Sequence, residues 1–432
     1  MFHAGLPPPA LGWGLALAGS AIVTLASTAT AALVVAIASR NFNRAGDVPW
    51  TERARLGWTA RMAVGSCAVL LPVLFGLFGG FSAADPLGLP PRGLGILWAV
   101  AAWLGVLIVG RRLMRKLTGR DRATPESRRV VSLSLLIVAP QLLTWALIFA
   151  LIPDRWNLRA TGLMVAGAGV IGFGVGGGWL WVCRRLGLLH PASARLEAIV
   201  ARTSERTGVR VRGAEELDSD TANALAFPVT GRLVFTGRLL EALDDEELAA
   251  VCAHELAHLD EPRGVVLARV GAAFLFLGLP ALYPLTGTFG PVTILIAPLV
   301  VLLAIIAFTR IARRMEVRSD RLGHAHEGDV GTYALALEKL YIANLIPAVL
   351  KAKRPVHPHL YDRMIAAGFA PDYERPRPPK ESLLAILPVA ALAVGLVFLH
   401  EQIHRAPAFP QSATQARPAD PAEPETAPAH SP

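Results

Sequence analysis

Long apolar runs, separated by polar stretches rich in arginine, occupy most of the chain. Eight of them are long enough to cross the roughly 30 Å hydrocarbon core of a bilayer as helices. They lie near residues 14–38, 63–83, 93–110, 130–152, 162–183, 264–285, 291–309 and 383–400. The sixth contains Arg269, Pro280 and Pro284, so a kinked or re-entrant helix packed against protein is an alternative there. The pattern predicts a mainly α, polytopic helical membrane protein with about eight spans.

Basic residues predict which loops face the cytoplasm, because cytoplasmic loops carry an excess of Lys and Arg. Five arginines lie between residues 40 and 61 and eight basic residues between 111 and 129, whereas the loops at 84–92 and 153–161 hold one and two. The richer loops are therefore expected inside. Counting onward places the polar segments after the fifth and seventh spans inside as well. No basic stretch precedes the first apolar run, which we interpret as a retained span rather than a cleaved signal peptide.

A less apolar region surrounds spans six and seven. It predicts helices at 191–208 and 332–351 and strands at 209–212, 222–227 and 233–236, the last two joined by a hairpin turn. We expect four parts: a transmembrane bundle of about five spans at 1–185, an α+β domain at 186–375 that includes two spans at about 264–309, a C-terminal span at 376–405, and a tail at 406–432. The tail is rich in Pro, Ala, Thr and Glu, which predicts disorder.

Composition independently indicates a membrane protein. Hydrophobic residues make up 53% of the chain and charged residues 17%, a balance outside that of soluble enzymes. We attribute the formal net charge of +9 to arginine clusters that fix topology and meet anionic lipid. A nucleic-acid surface is not expected, because no stretch interleaves aromatic with basic residues. The three cysteines lack regular spacing, so no disulfide framework is expected either.

The candidate chemistry begins with the motif H-E-x-x-H, formed by His254, Glu255 and His258. The run around it contains no Gly or Pro, and Asp244 with Glu247 gives a capping-box pattern at its start, so it should be helical. Positions i and i+4 share a helix face, so the two imidazoles converge and supply half of a tetrahedral zinc site. Glu255 is then placed to take a proton from the metal's water. The alternative is a chance match on a solvated helix.

A third protein ligand is available after the seventh apolar run. Glu316 and Asp320 share a face of a predicted helix. Glu316 could ligate the metal, and Asp320 could accept the second ring N–H of a ligating histidine. The alternative is a solvated helix end where both acids balance nearby arginines. His324 and His326 are rival ligands, ranked below Glu316 because Gly323 intervenes. Cys252 is read as a core residue, since positions i and i+2 face different directions.

Taken together, these motifs resemble the membrane metalloproteases of the CAAX prenyl endopeptidase and HtpX family. The resemblance extends from about residue 194 to residue 368 and includes three further stretches. They are Asn223-Ala224-Leu225-Ala226-Phe227-Pro228, the leucines Leu239, Leu240 and Leu243, and His357-Pro358-His359-Leu360-Tyr361-Asp362-Arg363. Two departures are Ala257, where the family usually has Gly, and the segment 259–262, which lacks the basic residues often found there. Neither touches a proposed ligand, so they put the subfamily in doubt rather than the chemistry.

The resemblance implies a zincin-like α+β protease domain with one Zn²⁺ per chain, held by His254, His258 and Glu316. It implies that Asn223, Ala224 and Leu225 bind an extended substrate peptide. It would also bring His357 or Arg363 to the cleft, to stabilise the oxyanion or to position Asp320. A loop role is the alternative for His357.

The expected function is zinc-dependent hydrolysis of peptide bonds in membrane or membrane-associated proteins. The partners would be those proteins and the bilayer. The expected location is the bacterial inner membrane, with the site facing the cytoplasm. Two alternatives remain, a membrane-embedded metalloprotease sensor of the antibiotic-receptor type and a catalytically silent membrane scaffold.

Overall fold

The computed structural model describes residues 9–119, 144, 147–275, 277–351 and 357–405. Within this part the protein is mainly helical, with one small sheet. The predicted fold class is therefore confirmed in its coarse form, and the division into four parts stays a prediction. The predicted tail at 406–432 lies outside the described residues.

An N-terminal helical bundle forms the largest hydrophobic core. It contains α1 (Pro9–Ala38), the short α2 (Arg40–Arg44), α3 (Trp50–Phe78) and α4 (Pro91–Leu117). Helices α1 and α4 approach closely at Gly105, where an added Cβ would lie 2.6 Å from the carbonyl oxygen of Thr24. The Thr24 hydroxyl donates a hydrogen bond of 3.1 Å to the carbonyl of Ala101 on α4. Small residues and hydroxyls at helix crossings are typical of membrane bundles, where tight packing replaces the hydrophobic effect.

Six stretches of the described chain are helical, long and apolar enough to cross a membrane. They are Leu11–Ala38, Trp50–Ala83, Pro91–Leu117, Leu158–Arg185, Val292–Ala325 and Leu383–Arg405. Each coincides with one of the predicted spans to within one residue or contains it. The fourth of these stretches comprises α5 (Leu158–Phe173), a π-helical turn (Gly174–Gly178) and α6 (Trp179–Arg185). The predicted span at 130–152 lies mostly outside the described residues, so the number of spans stays a prediction.

The sixth predicted span is broken. It consists of α10 (Arg263–Leu275) and α11 (Gly278–Phe289), which are bent by 61° relative to each other. This matches the kinked or re-entrant alternative that Pro280 and Pro284 raised, since proline removes a helical hydrogen bond and clashes with the preceding turn. The next helix, α12 (Val292–Ala325), runs without a break from the apolar segment into a polar end.

A four-stranded mixed sheet lies between the bundle and the broken pair in sequence. Its strands are β1 (Leu189–Pro191), β2 (Gly213–Leu217), β3 (Ala224–Phe227) and β4 (Arg232–Thr236), in the order β1-β2-β4-β3. Strands β2 and β4 are parallel, and the other two pairs are antiparallel. The predicted β3–β4 hairpin is confirmed, and Gly231 at its turn has φ 67°, a conformation that favours glycine. Strand β3 therefore forms an edge of the sheet.

The sheet packs against α7 (Ala194–Thr207), α8 (Gly237–Ala242) and α9 (Asp245–Leu259). A neighbouring apolar cluster joins α9 to α13 (Thr332–Asn344) and α14 (Leu360–Ala366). Helix α9 is buried on every side over twelve consecutive residues, from Glu247 to His258. The last helix, α15 (Leu387–Arg405), packs against α1 and α3 of the bundle.

Three predicted boundaries were wrong. The 209–212 segment is not a strand, although Val209 and Val211 pack against the core as their alternation indicated. It is a connection without regular secondary structure, and the strand that pairs in the sheet begins at Gly213. The predicted helix 191–208 begins only at Ala194, after a short strand. Helix α13 ends at Asn344 rather than at 351, because Leu345 is left-handed and Pro347 disfavours helix before it.

Candidate active site

The helix that carries His254, Glu255 and His258 is held at its start by the predicted capping box. The carboxylate of Asp244 accepts hydrogen bonds from the amides of Glu246 and Glu247, and the carboxylate of Glu247 accepts one from the amide of Asp244. These bonds satisfy amides that the first helical turn leaves without partners. All three motif residues are buried, each less than a tenth exposed. The reading of a solvated helix with a chance motif is therefore wrong.

His254, His258 and Glu316 come together as one buried group. Helix α12 packs across α9, and one ligand atom from each residue lies within 4.8 Å of the other two. The Nε2 atom of His254 is 3.8 Å from Oε2 of Glu316, and Nε2 of His258 is 3.6 Å from Oε1. Two imidazoles and one carboxylate are the protein ligands of a catalytic zinc site that keeps a position open for water or substrate. No hydrogen bond of normal geometry reaches Glu316 Oε2 among the described residues, although His357 Nδ1 lies 2.8 Å from it, so this buried oxygen could serve as a metal ligand.

A hydrogen-bond chain fixes the tautomer of His254. The Arg363 guanidinium donates to the Tyr333 hydroxyl at 3.0 Å, and that hydroxyl donates to Asp320 Oδ1 at 2.9 Å. With its one proton used on Asp320, the Tyr333 oxygen accepts from His254 Nδ1, 2.7 Å away. The proton of His254 is thus assigned to Nδ1, which leaves the Nε2 lone pair free for a metal. Asp320 itself lies 3.2 Å from His254 Nδ1, so its predicted role as the direct acceptor of this ring N–H stays a prediction.

His258 is oriented by a different carboxylate. Its Nδ1 lies 2.8 Å from Oε1 of Glu261, whose side chain is fully buried, and the same oxygen accepts a hydrogen bond of 2.6 Å from Arg269. The proton of His258 is therefore also assigned to Nδ1, and its Nε2 faces Glu316. Arg269, an unexpected charge inside an apolar run, has its partner here. The segment 259–262, noted only as a departure from the family, supplies this contact.

The surroundings shift the pKa of two groups near the histidines. Burial lowers the pKa of His258. The hydrogen bond to Glu261 and the carboxylates of Glu255 and Glu316 together raise this pKa by more than burial lowers it, so the net shift is upward. A proton therefore competes with any metal at His258 up to a higher pH than at a free histidine, and metal affinity falls as the pH drops. Burial raises the pKa of Tyr333 well above its usual range, although Arg363 opposes this, so its hydroxyl keeps its proton.

Arg363 and His357 occupy different places around the group. Arg363 donates two hydrogen bonds to Asp320, at 2.9 and 2.6 Å, and its side chain is only 7% exposed. It therefore contacts Asp320 as the sequence suggested. His357 lies 2.8 Å from Glu316 Oε2, and its side chain is 60% exposed. It borders the group from the solvent side.

The rival ligands lie elsewhere. His324 pairs with Glu327 at 2.6 Å, and the Nδ1 of His326 lies 3.1 Å from the carbonyl of Leu322. Cys252 is fully buried among apolar residues, and burial raises the pKa of its thiol to about 12, which keeps it neutral. None of the three belongs to the group of possible metal ligands found among the described residues.

The predicted substrate residues lie at the edge of the sheet that packs on α9. Asn223 precedes β3, and its amide and carbonyl are both held by the Thr236 side chain on β4, at 2.8 and 3.0 Å. Asn223 and Leu225 are exposed, whereas Ala224 is buried, so successive side chains alternate across the strand. A peptide could reach Ala224 only through its backbone.

Sequence reasoning missed two residues, Tyr333 and Glu261. Tyr333 gives no signal in the sequence, because it lies in an ordinary helix 75 or more residues from the histidines. Glu261 is three residues after His258, a spacing at which a side chain can fold back on a ligand, and this was the available signal.

Glu261 should matter for metal affinity. Residues that orient a metal-ligating histidine contribute about 10- to 100-fold to affinity. We expect Glu261→Ala to weaken zinc binding by about that factor, measured by competition with a chelator. Asp260→Ala is the matched control, because Asp260 is exposed and pairs with Arg318. Equal affinities for the two variants would mean that the Glu261 contact does not orient His258 as a ligand.

Comparison with known proteins adds to this geometry. Residues 191–368 match Peptidase family M48. The chain is also 29% identical over 211 residues to a protein named "Protease HtpX homolog" from Acidiphilium cryptum (strain JF-5), an alignment that covers 43% of this chain and 71% of that protein. No solved structure matches the chain.

The matched region begins in β1 and ends just after α14, so it contains the whole histidine–glutamate group and the edge strand. The family resemblance noted from the motifs is confirmed. Together with the apolar helices, these matches support a multi-pass membrane protein whose residues 191–368 are similar to peptidase family M48 and to a protease of the HtpX type.

Proposed function

We propose that this protein is a zinc metalloendopeptidase that hydrolyses peptide bonds of membrane or membrane-associated proteins. One observation carries the proposal: two buried imidazoles, each with its Nδ1 proton engaged, turn their Nε2 atoms toward the buried carboxylate of Glu316. Two neutral imidazoles and a carboxylate suit zinc, which takes nitrogen and oxygen ligands in such sites. One Zn²⁺ per chain would be held by His254, His258 and Glu316.

The chemistry divides between the metal and the side chains. Bound zinc supplies a Lewis acid that lowers the pKa of water and polarises a carbonyl group. Glu255, adjacent to His254 and buried, takes the proton of the attacking water and then delivers a proton to the leaving amine. Asp320, Tyr333 and Arg363 hold the ring of His254. His357, exposed and next to Glu316, is our candidate donor for the negative charge that develops on the carbonyl oxygen.

The substrate is proposed to bind as an additional strand along β3. This strand is at the edge of the sheet, and an edge strand presents backbone groups that can pair with an extended peptide. Ala224 would contribute backbone hydrogen bonds, while the exposed Asn223 and Leu225 would contact peptide side chains or backbone. Because β3 also packs against α9, a peptide in this position would lie beside Glu255 and the histidines.

The proposed location is a bacterial inner membrane, with the site facing the cytoplasm. The arginine-rich loops support this orientation. In that arrangement α10 and α11 leave the cytoplasmic side and α12 returns to it, which brings Glu316 back to the face that holds His254. Substrates would then approach from the cytoplasm or from within the bilayer.

Cysteine labelling tests the orientation. We expect Phe289→Cys, at the exposed end of α11, to react with a membrane-impermeant maleimide in intact cells, because this turn should lie outside. Ser219→Cys should react only after permeabilisation. The three native cysteines are buried and give a low background. Labelling of Ser219→Cys but not Phe289→Cys in intact cells would invert the orientation and direct the protease outward.

The function itself is tested on detergent-purified protein. We expect about one zinc per chain by elemental analysis and cleavage of unfolded or membrane-derived peptides that stops on addition of a chelator and returns with zinc. Stoichiometric zinc without cleavage of any peptide would favour the silent scaffold. Absence of zinc binding would overturn the proposal.

A further inference from the structure

An apolar cavity of about 620 Å³ lies next to the proposed cleft. The residues that line it come mainly from α5, α10 and the β3–β4 hairpin. Two helices line it with residues at helical spacing. One set is Val170 and Ile171 of α5 with Gly174 of the π-helical turn that follows it, and the other is Val266, Val270 and Ala273 of α10. Val266, Val270 and Ala273 are three, four and seven residues apart, and Gly174 follows Ile171 by three residues and Val170 by four, so each set lies on one face of its helix. The cavity is therefore a feature shared by two regular elements rather than a gap at a loop.

The cavity lies at the end of the edge strand β3. Ala226 and Phe227 of β3 line it, together with Pro228 and Val229 of the hairpin turn. Of the proposed peptide contacts, Asn223 lies just before this strand, three residues ahead of Ala226, and Leu225 lies on the strand, one residue ahead of Ala226. Strand residues advance about 3.3 Å each, so a peptide paired along β3 would pass from the site to the cavity mouth within about 10–15 Å. A side chain of that peptide can therefore enter the cavity.

One lining residue also contacts the proposed metal site. Arg269 is the charged residue among the described residues that line the cavity, and its guanidinium donates to Glu261, which holds His258. Its charge is thus paired with the carboxylate of Glu261. The cavity presents mainly apolar surface, and a charged or polar occupant would lose its hydration there without gaining partners.

The walls also belong to membrane-level helices. Helix α5 is part of a candidate span, and α10 with α11 forms the broken candidate span. An occupant that comes from the membrane-proximal part of a substrate would already be apolar. This chemistry favours Leu, Phe, Ile or Met side chains over the polar residues of a cytoplasmic loop.

We propose that this cavity is a specificity subsite that receives a large apolar side chain from the membrane-proximal segment of the substrate. The inference rests on the proposed function, because it assumes that β3 binds the peptide. It adds a sequence preference: cleavage occurs where one defined position, a few residues from the scissile bond, is apolar.

The test uses peptides that share one polar host sequence and carry a single Phe or Ser at each of three positions on either side of the cleaved bond. We expect the wild-type protein to prefer Phe over Ser by about 10-fold or more in kcat/KM at one position, the range that one apolar group provides in a pocket. Ala273→Phe narrows the cavity with a bulky side chain on its wall and should reduce this preference to less than threefold. Gly271→Phe is the matched control on the same helix, since an added Cβ there meets no atom within 4 Å.

A second cavity variant and a binding measurement keep the test decisive when a variant has no turnover. Val270→Thr keeps the volume but adds a hydroxyl to the cavity wall, and it should weaken the same preference even if Ala273→Phe stops all turnover. Peptide binding is also measured by fluorescence anisotropy in a Glu255→Gln background, which does not require cleavage.

The subsite is overturned if both cavity variants keep the full wild-type preference, or if Gly271→Phe removes it equally. If no peptide is cleaved but Phe peptides bind more tightly than Ser peptides and Ala273→Phe removes this difference, the subsite stands and the proposed protease function fails. If neither cleavage nor binding distinguishes Phe from Ser at any position, the subsite is wrong.

Discussion

Glu255→Gln should retain zinc and lose peptide cleavage by roughly 10²–10⁴-fold, the range that a general acid–base group contributes. Glutamine has nearly the same size, so the buried pocket beside His254 should keep its packing. The amide cannot accept the proton of the attacking water. Neither proposed imidazole ligand is altered, and Glu255 is not a member of the ligand group. Zinc content by elemental analysis and kcat on a quenched peptide measure the two effects separately.

The matched control is Glu247→Gln, a buried glutamate on the same helix whose role is in the capping box. That change should lower thermal stability while leaving kcat per folded molecule near wild type. Cleavage by Glu255→Gln at the wild-type rate would contradict the mechanism. Loss of zinc from Glu255→Gln would instead assign this carboxylate to the metal.

Glu316→Ala should lose zinc. Removing the carboxylate leaves two imidazoles as protein ligands. Residues that only orient a ligand contribute up to roughly 100-fold to metal affinity, and loss of a direct ligand should lower the affinity by at least as much. We therefore expect zinc affinity, measured by chelator competition, to fall by about 100-fold or more. Peptide cleavage at limiting zinc should fall with it. Glu316→Gln should show a smaller loss, because an amide oxygen is a weaker ligand of similar shape.

Two comparisons make this result specific. Glu246→Ala removes an exposed glutamate of the α9 first turn that pairs with Arg202, and it should leave zinc affinity unchanged. His324→Ala and His326→Ala test the rival ligands, whose ring atoms contact Glu327 and a carbonyl group instead. Unchanged zinc affinity in Glu316→Ala, together with a loss in either histidine variant, would move the third ligand to that histidine.

Most of the architecture could be predicted from local patterns in the sequence. Apolar runs predicted the long helices because a bilayer demands about twenty apolar residues in a continuous hydrogen-bonded helix. Six stretches of the described chain meet this expectation. The capping box at Asp244 and the β3–β4 hairpin were likewise predictable, since both depend on residues only a few positions apart. Element boundaries were less accurate where pairing partners are distant, as at 209–212.

The spacing of His254, Glu255 and His258 is also a local property. One helical turn between the histidines places them on one face whatever the rest of the chain does. Glu316 required a further assumption, because α9 and α12 are separated by the two short helices of a broken span. Only packing of α12 across α9 brings its carboxylate to 3.6–3.8 Å from the two Nε2 atoms.

By itself, the sequence determined the membrane-helical architecture, the position of the H-E-x-x-H motif on a capped helix and the similarity to peptidase family M48, all of which depend on short-range periodicity and spacing. The tertiary structure decided which buried groups orient the histidines: Tyr333, with Asp320 and Arg363, at His254, and Glu261, with Arg269, at His258. It also decided that an apolar cavity opens beside β3. The reason is physical: a hydrogen bond or a cavity depends on where separate helices meet, and residues as far apart as 254 and 333 meet only after the core has packed.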